Sequence, residues 1–317
     1  IRDSTEAVRL MGNVNAADGT RYVLMGGDQE RSVPAANKVW GYVNQVLDGY
    51  GLNYNTAKSV DGLISRYAIG DGTLLEKATK TFFFESESSS QTSSRGVYLD
   101  PQFTNTGINQ TPGKRGGSNY DNDFASWTMS NEYGLKKDRD RKSFIGQFIW
   151  TGFDYLGEPT PYSVYPVGVS SFGTIDTAGF AKDVVYMYKS MWTDTPTVHL
   201  LPQKWNFKAG QKVPVYIYTN AKSVELFLNG KSLGIKNYDK QTASPVYIYW
   251  TKGTSGLDYE AGELKAVGYD QPDGKGNVIA TDVVNTSGDA AQVELSADRT
   301  YIKNDGDDMV FVEATIE

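Results

Sequence analysis

The sequence predicts a two-part molecule: a parallel α/β region followed by an all-β sandwich, in a chain of 317 residues. Three observations carry this reading. Over residues 1–195 short apolar runs alternate with helical patterns, as in parallel strands joined by helical crossovers. From 196 to 290 the apolar period drops to two, at the spacing of a sandwich. Near 290 a further alternating stretch, "AQVELSADRTYIKNDGDDMVFVEATI", reads as the first strands of another β-sandwich domain over 291–317.

In the first region, "RYVLMGGD" (21–28) reads as a strand running out into Gly-Gly-Asp. "VWGYVNQVLD" (39–48) sets Val39, Val43 and Val46 at helical spacing behind the start signal of Pro34. "GYGLNYN" (49–55) is a strand, "SVDGLISRYA" (59–68) a helix and "TKTFFFE" (79–85) a strand. "NDFASWTMSNEYGLKKD" reads as a helix with Phe124, Trp127 and Tyr133 inward, running into the sign-alternating, solvated "LKKDRDRK" (135–142). "SFIGQFIWTGFD" (143–154) is the fourth strand, and "FAKDVVYMYKSMW" (180–192) the closing helix. Each strand ends in polar or aromatic residues: Asp28; Asn53 and Tyr54; Glu85 and Glu87; Trp150 and Asp154. Active-site groups of a (β/α)8 TIM barrel sit at such strand ends, so half a barrel fits better than an open sheet.

In the second region the strands are "KVPVYIYTN" (212–220), "SVELFLNGKSLG" (223–234), "SPVYIYW" (244–250), "GELKAVGYD" (262–270) and "VIATDVVNT" (278–286). Asn229-Gly230 predicts a two-residue hairpin, because a type I′ turn needs positive φ at both positions.

Composition removes several functions. A net charge of -7 without clustered Lys and Arg argues against nucleic acid, and no run approaches the roughly 18 apolar residues of a membrane span. Zero cysteines excludes disulfides, thiolate metal sites and cysteine nucleophiles. No metal or cofactor is expected, and "GKRGGSN" (113–119) lacks the flanking strand and helix of a phosphate loop. The single histidine, His199 in "TVHLLP", reads as structural, at the start of a strand. The opening "IRDST" and the closing "MVFVEATIE" both look cut from something longer.

"FFFESESSS" (82–90) holds the sharpest chemical question. On a regular strand Glu85 and Glu87 share one face, roughly 6.5 to 7 Å apart. A retaining glycosidase pair needs about 5 to 5.5 Å and must flank the scissile bond, so at most one of them is a catalyst. An acid-rich strand end is also what a solvated loop looks like. Tyr54 and Trp150 shift the balance, because aromatic faces stack on sugar rings while Asn, Asp and Glu bind hydroxyls. Glu132, in "SNEYG", reads as a surface residue of a helix.

"ESSSQTSSRGVY" (87–98) resembles the nucleophile segment of glycoside hydrolase family 2 β-galactosidases, in which a glutamate lies eight residues before an arginine. Counting back from Arg95 selects Glu87. "GQFIWTGFDYLGEPTPY" (146–162), "SSFGTIDTAGFAKD" (170–183), "VHLLPQKWNF" (198–207) and "VELFLNGKSLG" (224–234) resemble the large secreted or surface-anchored bacterial members. The resemblance implies barrel strands five to eight, an immunoglobulin-like sandwich and a second sandwich begun. It implies a retaining hydrolysis of terminal β-D-galactosides such as lactose or a galactose-terminated glycan. Glu87 is then the nucleophile, Tyr54 its neighbour and Trp150 the sugar-stacking ring, with Asp28, Asn53 and Asp154 as further substrate-binding matches. The acid/base glutamate is expected just before Ile1, in a missing N-terminal part without which the chain is inactive. Gln147 stands where relatives often carry Glu. Two alternatives remain: a carbohydrate-binding or adhesion module with a degenerate barrel, and a β-glucuronidase of the same family.

Overall fold

The computed structural model describes residues 4–24, 26–27, 48, 50–54, 82–98, 117–125, 127–140, 144–158, 160, 167–250 and 256–317. A helix that the periodicity did not announce, α1 (Ser4–Ala17), opens the described chain; its face is weakly amphipathic and interrupted by Gly12, Asn13 and Asn15. Strands β1 (Gly26–Gly27), β2 (Tyr50–Asn53), β3 (Phe83–Ser89) and β4 (Phe144–Trp150) form one sheet in chain order, every neighbouring pair parallel. Chain-order parallel pairing is what successive same-handed crossovers produce. Among the described residues this is a four-stranded sheet, and a half-barrel is not shown. The helix expected over 59–68, and all but Asp48 of that over 39–48, lie outside the described residues.

The helix expected from residue 122 begins only at α2 (Asn131–Arg139). Two caps set that start. Ser130 Oγ accepts from Tyr133 N at 3.2 Å, and the buried Asp121 carboxylate accepts from Asn131 N at 2.9 Å and Glu132 N at 2.8 Å. Side-chain oxygens at a helix start satisfy donors that have no intrahelical partner. Phe124 and Trp127 therefore sit in a loop rather than on the helix, and Tyr133 points outward. The end of α2 also departs from a solvated reading, since Lys137 and Asp138 are both buried. Strands β5 (Tyr155–Leu156) and β6 (Val169–Ser170) pair in a small ribbon, and α3 (Asp183–Trp192) closes the region.

The second region is a sandwich. One sheet runs β11 (Lys231–Asn237), β10 (Ser223–Leu228), β14 (Glu263–Tyr269), β15 (Val278–Asn285). The other runs β12 (Ile248–Tyr249), β9 (Tyr216–Thr219), β7 (Val198–Leu201). Leu200 and Ile217 of the second sheet share one apolar core with Val224, Leu226, Leu264 and Ala266 of the first. Pro214, which can donate no ladder hydrogen bond, separates β8 (Lys212–Val213) from β9 and splits the expected strand 212–220; β8 pairs instead with β13 (Leu257–Asp258). Asn229 (φ 51°) and Gly230 (φ 75°) make the expected two-residue hairpin, with Leu228 opposite Lys231. Strands β16 (Val293–Ala297) and β17 (Val312–Ile316) form a separate antiparallel ribbon, exposed throughout.

The tyrosines concentrate where the two regions meet. Tyr120, Leu135, Met187 and Tyr188 pack against Leu201, Tyr216, Tyr218 and Val246 of the sandwich. His199 lies within β7, its Nε2 2.7 Å from Asp183 Oδ1 and its ring stacked on Tyr186 at 3.8 Å. Tyr98 donates to the other Asp183 oxygen at 2.6 Å. The imidazole is thus a structural element of the junction.

Leu226 is 0% exposed in the sandwich core. Leu226→Ala is expected to lower stability by about 2 to 5 kcal/mol, through lost burial and a residual cavity, measured from the denaturant midpoint of the sandwich transition.

Candidate active site

The two carboxylates of β3 do not share a face. Glu85 is opposite Leu52 and Glu87 is opposite Asn53, neighbours on β2. On the other side Glu85 pairs with Gln147 and Ser88 with Ile149, three residues of β3 against two of β4. Adjacent residues of a strand project oppositely, so this bulge places Glu85 and Glu87 on opposite faces of the sheet. The same-face separation expected of a regular strand is corrected accordingly.

Glu85 turns toward α2 and is 1% exposed. Its Oε1 accepts from Lys137 Nζ at 2.8 Å, and the same ammonium lies 2.7 Å from Asp138 Oδ1. Burial, and then the Asp138 charge, push the Glu85 carboxyl up to about 8 against the pull of Lys137. Gln147 completes the cluster by donating to Asp138 Oδ2 at 3.1 Å and accepting from Ser88 Oγ at 3.1 Å. A glutamate at 147 would bring a third carboxylate to one ammonium, which explains the neutral amide.

Glu87 faces a different set. Asn53 Nδ2 donates to its Oε2 at 3.3 Å, and Asn53 Oδ1 is taken by Ser86 Oγ at 2.7 Å, which turns the amide nitrogen toward the carboxylate. The Tyr54 backbone N–H donates to Glu87 O at 2.6 Å, and its buried phenol is electrostatically coupled to the Glu87 side chain. Burial, then the interaction with Glu87, raise the phenol well above its ordinary range, so it is a neutral donor. Its oxygen also accepts from Ser90 Oγ at 2.8 Å, and the Trp127 ring lies edge-on to the Tyr54 ring at 6.4 Å.

The turn geometry around these groups is strained. Tyr54 (φ 49°), Ser89 (φ 76°) and Ser90 (φ 52°) all adopt the left-handed region, at the ends of the two strands that carry the site. Such residues cost on the order of 1 kcal/mol each and persist where the surroundings over-determine them. Here the surroundings are hydrogen bonds: Ser89 Oγ and Tyr188 Oη both donate to Asn131 Oδ1, at 2.7 and 2.9 Å, and Asn131 Nδ2 donates to Gln91 Oε1 at 3.1 Å.

Trp150 ends β4 opposite Ser89, 39% exposed, edge-on to Tyr155 at 6.1 Å. Asp154 is engaged structurally: its Oδ1 accepts from Lys182 Nζ at 2.7 Å and from Gly173 N at 2.8 Å. Lys182 is fully buried and also donates to Ser93 O at 2.6 Å and Ser171 O at 3.2 Å, tying the loops after β3 and β4 to the start of α3. A Cβ at Gly173 would collide with the backbone of Phe153 and Asp154, so only glycine allows that approach. Asp28 lies outside the described residues. Glu132 is half-buried, not a free surface group, and accepts from Val246 N at 3.3 Å.

The structure therefore brings Glu87, Asn53 and Tyr54 together and sets Trp150 on the next strand end. Sequence reasoning missed Ser86, Ser90, Trp127, Lys137 and Lys182. The serine run "ESESSS" was the available signal for the first two, since short hydroxyls after an acidic strand end can serve its hydrogen bonds. No group of three or more potential metal ligands occurs among the described residues.

A family model described as a domain of unknown function, DUF4982, matches residues 210–276. Beta-galactosidase BoGH2A of Bacteroides ovatus is 40% identical over 200 residues, 63% of this chain and 22% of that protein. A candidate β-glucuronidase of Formosa agariphila is 40% identical over 160 residues, 49% of this chain and 15% of that protein. Among solved structures, a β-glycosidase from Bacteroides vulgatus aligns with a TM-score of 0.71 at 25% identity, over 97% of this chain and 38% of the other. A glycosyl hydrolase family 2 member from Bacteroides cellulosilyticus aligns with a TM-score of 0.62 at 25% identity, over 99% and 35%. The chain thus spans 22% of the length of BoGH2A, and it is homologous to that β-galactosidase.

The Glu85 cluster predicts a pH dependence of stability. A carboxyl whose folded value is raised from 4.5 to about 8 contributes stability that is present below the lower value and lost as pH rises through the upper one. Thermal melts of the wild type and of Glu85→Gln should therefore show the wild type losing stability relative to the variant as pH rises from about 4.5 to about 8.

Proposed function

From its homology to glycoside hydrolase family 2 proteins, we propose that the chain is part of a retaining β-galactosidase with Glu87 as nucleophile. One observation carries the reading. Glu87 stands at a parallel strand end with two neutral neighbours, Asn53 and Tyr54, turned toward it, and the next strand ends in the accessible ring of Trp150. In the first displacement a Glu87 oxygen attacks the anomeric carbon, the bond to the leaving-group oxygen breaks, and that oxygen takes a proton from an acid. Water, deprotonated by the same residue, then displaces Glu87 and returns it as carboxylate. Trp150 offers a flat apolar face to the sugar.

The acid/base is proposed to come from outside these residues. Among the described carboxylates, Glu85 faces α2, Asp154 is held by Lys182, and Glu132 binds the sandwich backbone. The remaining strands of a (β/α)8 barrel are assigned to the same source. Strand β4 is an edge of the described sheet, with Ile145 and Phe148 more than half exposed, a surface that further strands would cover.

A β-glucuronidase is the second reading, favoured by the identity to the Formosa agariphila relative. A glucuronide carboxylate needs a cation or amide to receive it. Among the described residues of the strand-end loops, Arg95 is bound to Asp176 and Lys182 to Asp154.

In the full-length protein, Glu87→Gln should lower kcat on a β-galactoside by on the order of 10⁴-fold or more. The wild type should prefer the galactoside to the glucuronide in kcat/KM by about 10²-fold, the loss typical of an ill-accommodated charged group. Turnover surviving in Glu87→Gln would refute the nucleophile assignment, and a glucuronide preference would replace the substrate while keeping the site.

A further inference from the structure

A phenol has one proton and two lone pairs. The Tyr54 oxygen accepts from Ser90 Oγ at 2.8 Å, and its electrostatic neighbours include the Trp127 indole, which can only donate, and the Glu87 carboxylate, which accepts. With Ser90 donating to the oxygen, the phenol proton is directed away from Ser90, and the carboxylate is the acceptor that gains from it. Nothing in the phenol itself imposes this, because a Tyr hydroxyl rotates and could equally donate to a serine oxygen. The orientation is set from behind.

We propose that Ser90, assisted by Trp127, is a positioning residue that directs the Tyr54 proton onto Glu87. The proposal rests on the assignment of Glu87 as nucleophile and goes beyond it to the residues that prepare the carboxylate. Ser90 is suited to the task by its backbone. It is fully buried, and its left-handed φ of 52° turns the chain back at the end of β3, where Ser90 N donates to Trp150 O at 3.1 Å. A serine is an unfavourable choice for that φ, and glycine would adopt it without strain. The retention of a hydroxyl at this strained position is explained by its bond to Tyr54. Trp127 is fixed in turn by edge contacts with Tyr54 at 6.4 Å and Phe172 at 6.3 Å.

The same geometry supplies a discriminating variant. Ser90→Gly keeps the turn and deletes the donor, so a residue needed only for backbone shape would be replaced without loss. In the full-length protein, Ser90→Gly should melt no lower than wild type, with kcat reduced about tenfold and KM changed less than about twofold, as for loss of nucleophile orientation. In a Tyr54→Phe background the same change should alter kcat by less than about twofold, because the hydroxyl acts through the phenol. The Raman doublet of isotope-labelled Tyr54, which reports donor and acceptor state, should shift in Ser90→Gly. Wild-type kcat in Ser90→Gly, an equal loss in both backgrounds, or an unchanged doublet would each overturn the proposal. A wild type that turns over no β-glycoside would refute the functional reading instead, and the doublet alone would then decide the hydrogen-bond claim.

Discussion

The bulge in β3 between Glu85 and Ser88 is the constraint on which the rest of the site depends. One extra residue gives two acids of the same strand opposite faces and opposite environments. Without it, both carboxylates would point the same way, and the buried Lys137–Asp138 pair would lose the Glu85 oxygen that accepts from Lys137 Nζ. With it, Glu85 joins a buried hydrogen-bonded cluster with Lys137 and Asp138 that ties α2 to the sheet, and Glu87 meets neutral donors. This cluster is thus a fastening of the scaffold. The Glu87 surroundings are arranged to orient a charge.

That orientation is maintained by groups lying progressively farther from Glu87. Ser86 turns Asn53, while Ser90 and Trp127 turn Tyr54. Behind them, Asn131 gathers Ser89, Gln91 and Tyr188, and Asp121 caps the helix on which Asn131 sits. Tyr188 belongs to the aromatic junction with the sandwich, so the all-β region buttresses the α/β site through packed side chains. Asn53, Tyr54, Asn131 and Gln91 each have a hydrogen-bond partner in this relay, as a low-dielectric interior favours. Lys182 plays the corresponding part on the other flank, joining the loops after β3 and β4.

Much of this was legible in the sequence, and the remainder failed for identifiable reasons. Period-two patterning and Asn229-Gly230 located the sandwich strands and their hairpin, because burial on one face writes itself into local alternation. The strand ends carrying Asn53, Tyr54, Glu87 and Trp150 were likewise visible as apolar runs giving way to polar or aromatic residues. The bulge was not, since an extra residue in one strand is defined only against its neighbours. Helix α2 was extended too far upstream because Phe124 and Trp127 mimic helical spacing, while the stop comes from Asp121, ten residues away from Asn131 in sequence. Lys137 and Asp138 read as solvated because an alternating charge run usually is. Their burial follows from Glu85, which only the tertiary fold brings near.

The central claim is that Glu87, and not Glu85, forms the covalent bond to the sugar. A 2-deoxy-2-fluoro β-galactoside with a good leaving group slows the second displacement and traps such an intermediate. Mass spectrometry of the labelled full-length protein then reads the adduct on the tryptic peptide spanning 81–95, which contains both glutamates. Fragment ions are predicted to assign the added mass to Glu87. An adduct on Glu85, or on a carboxylate outside this peptide, would contradict the account.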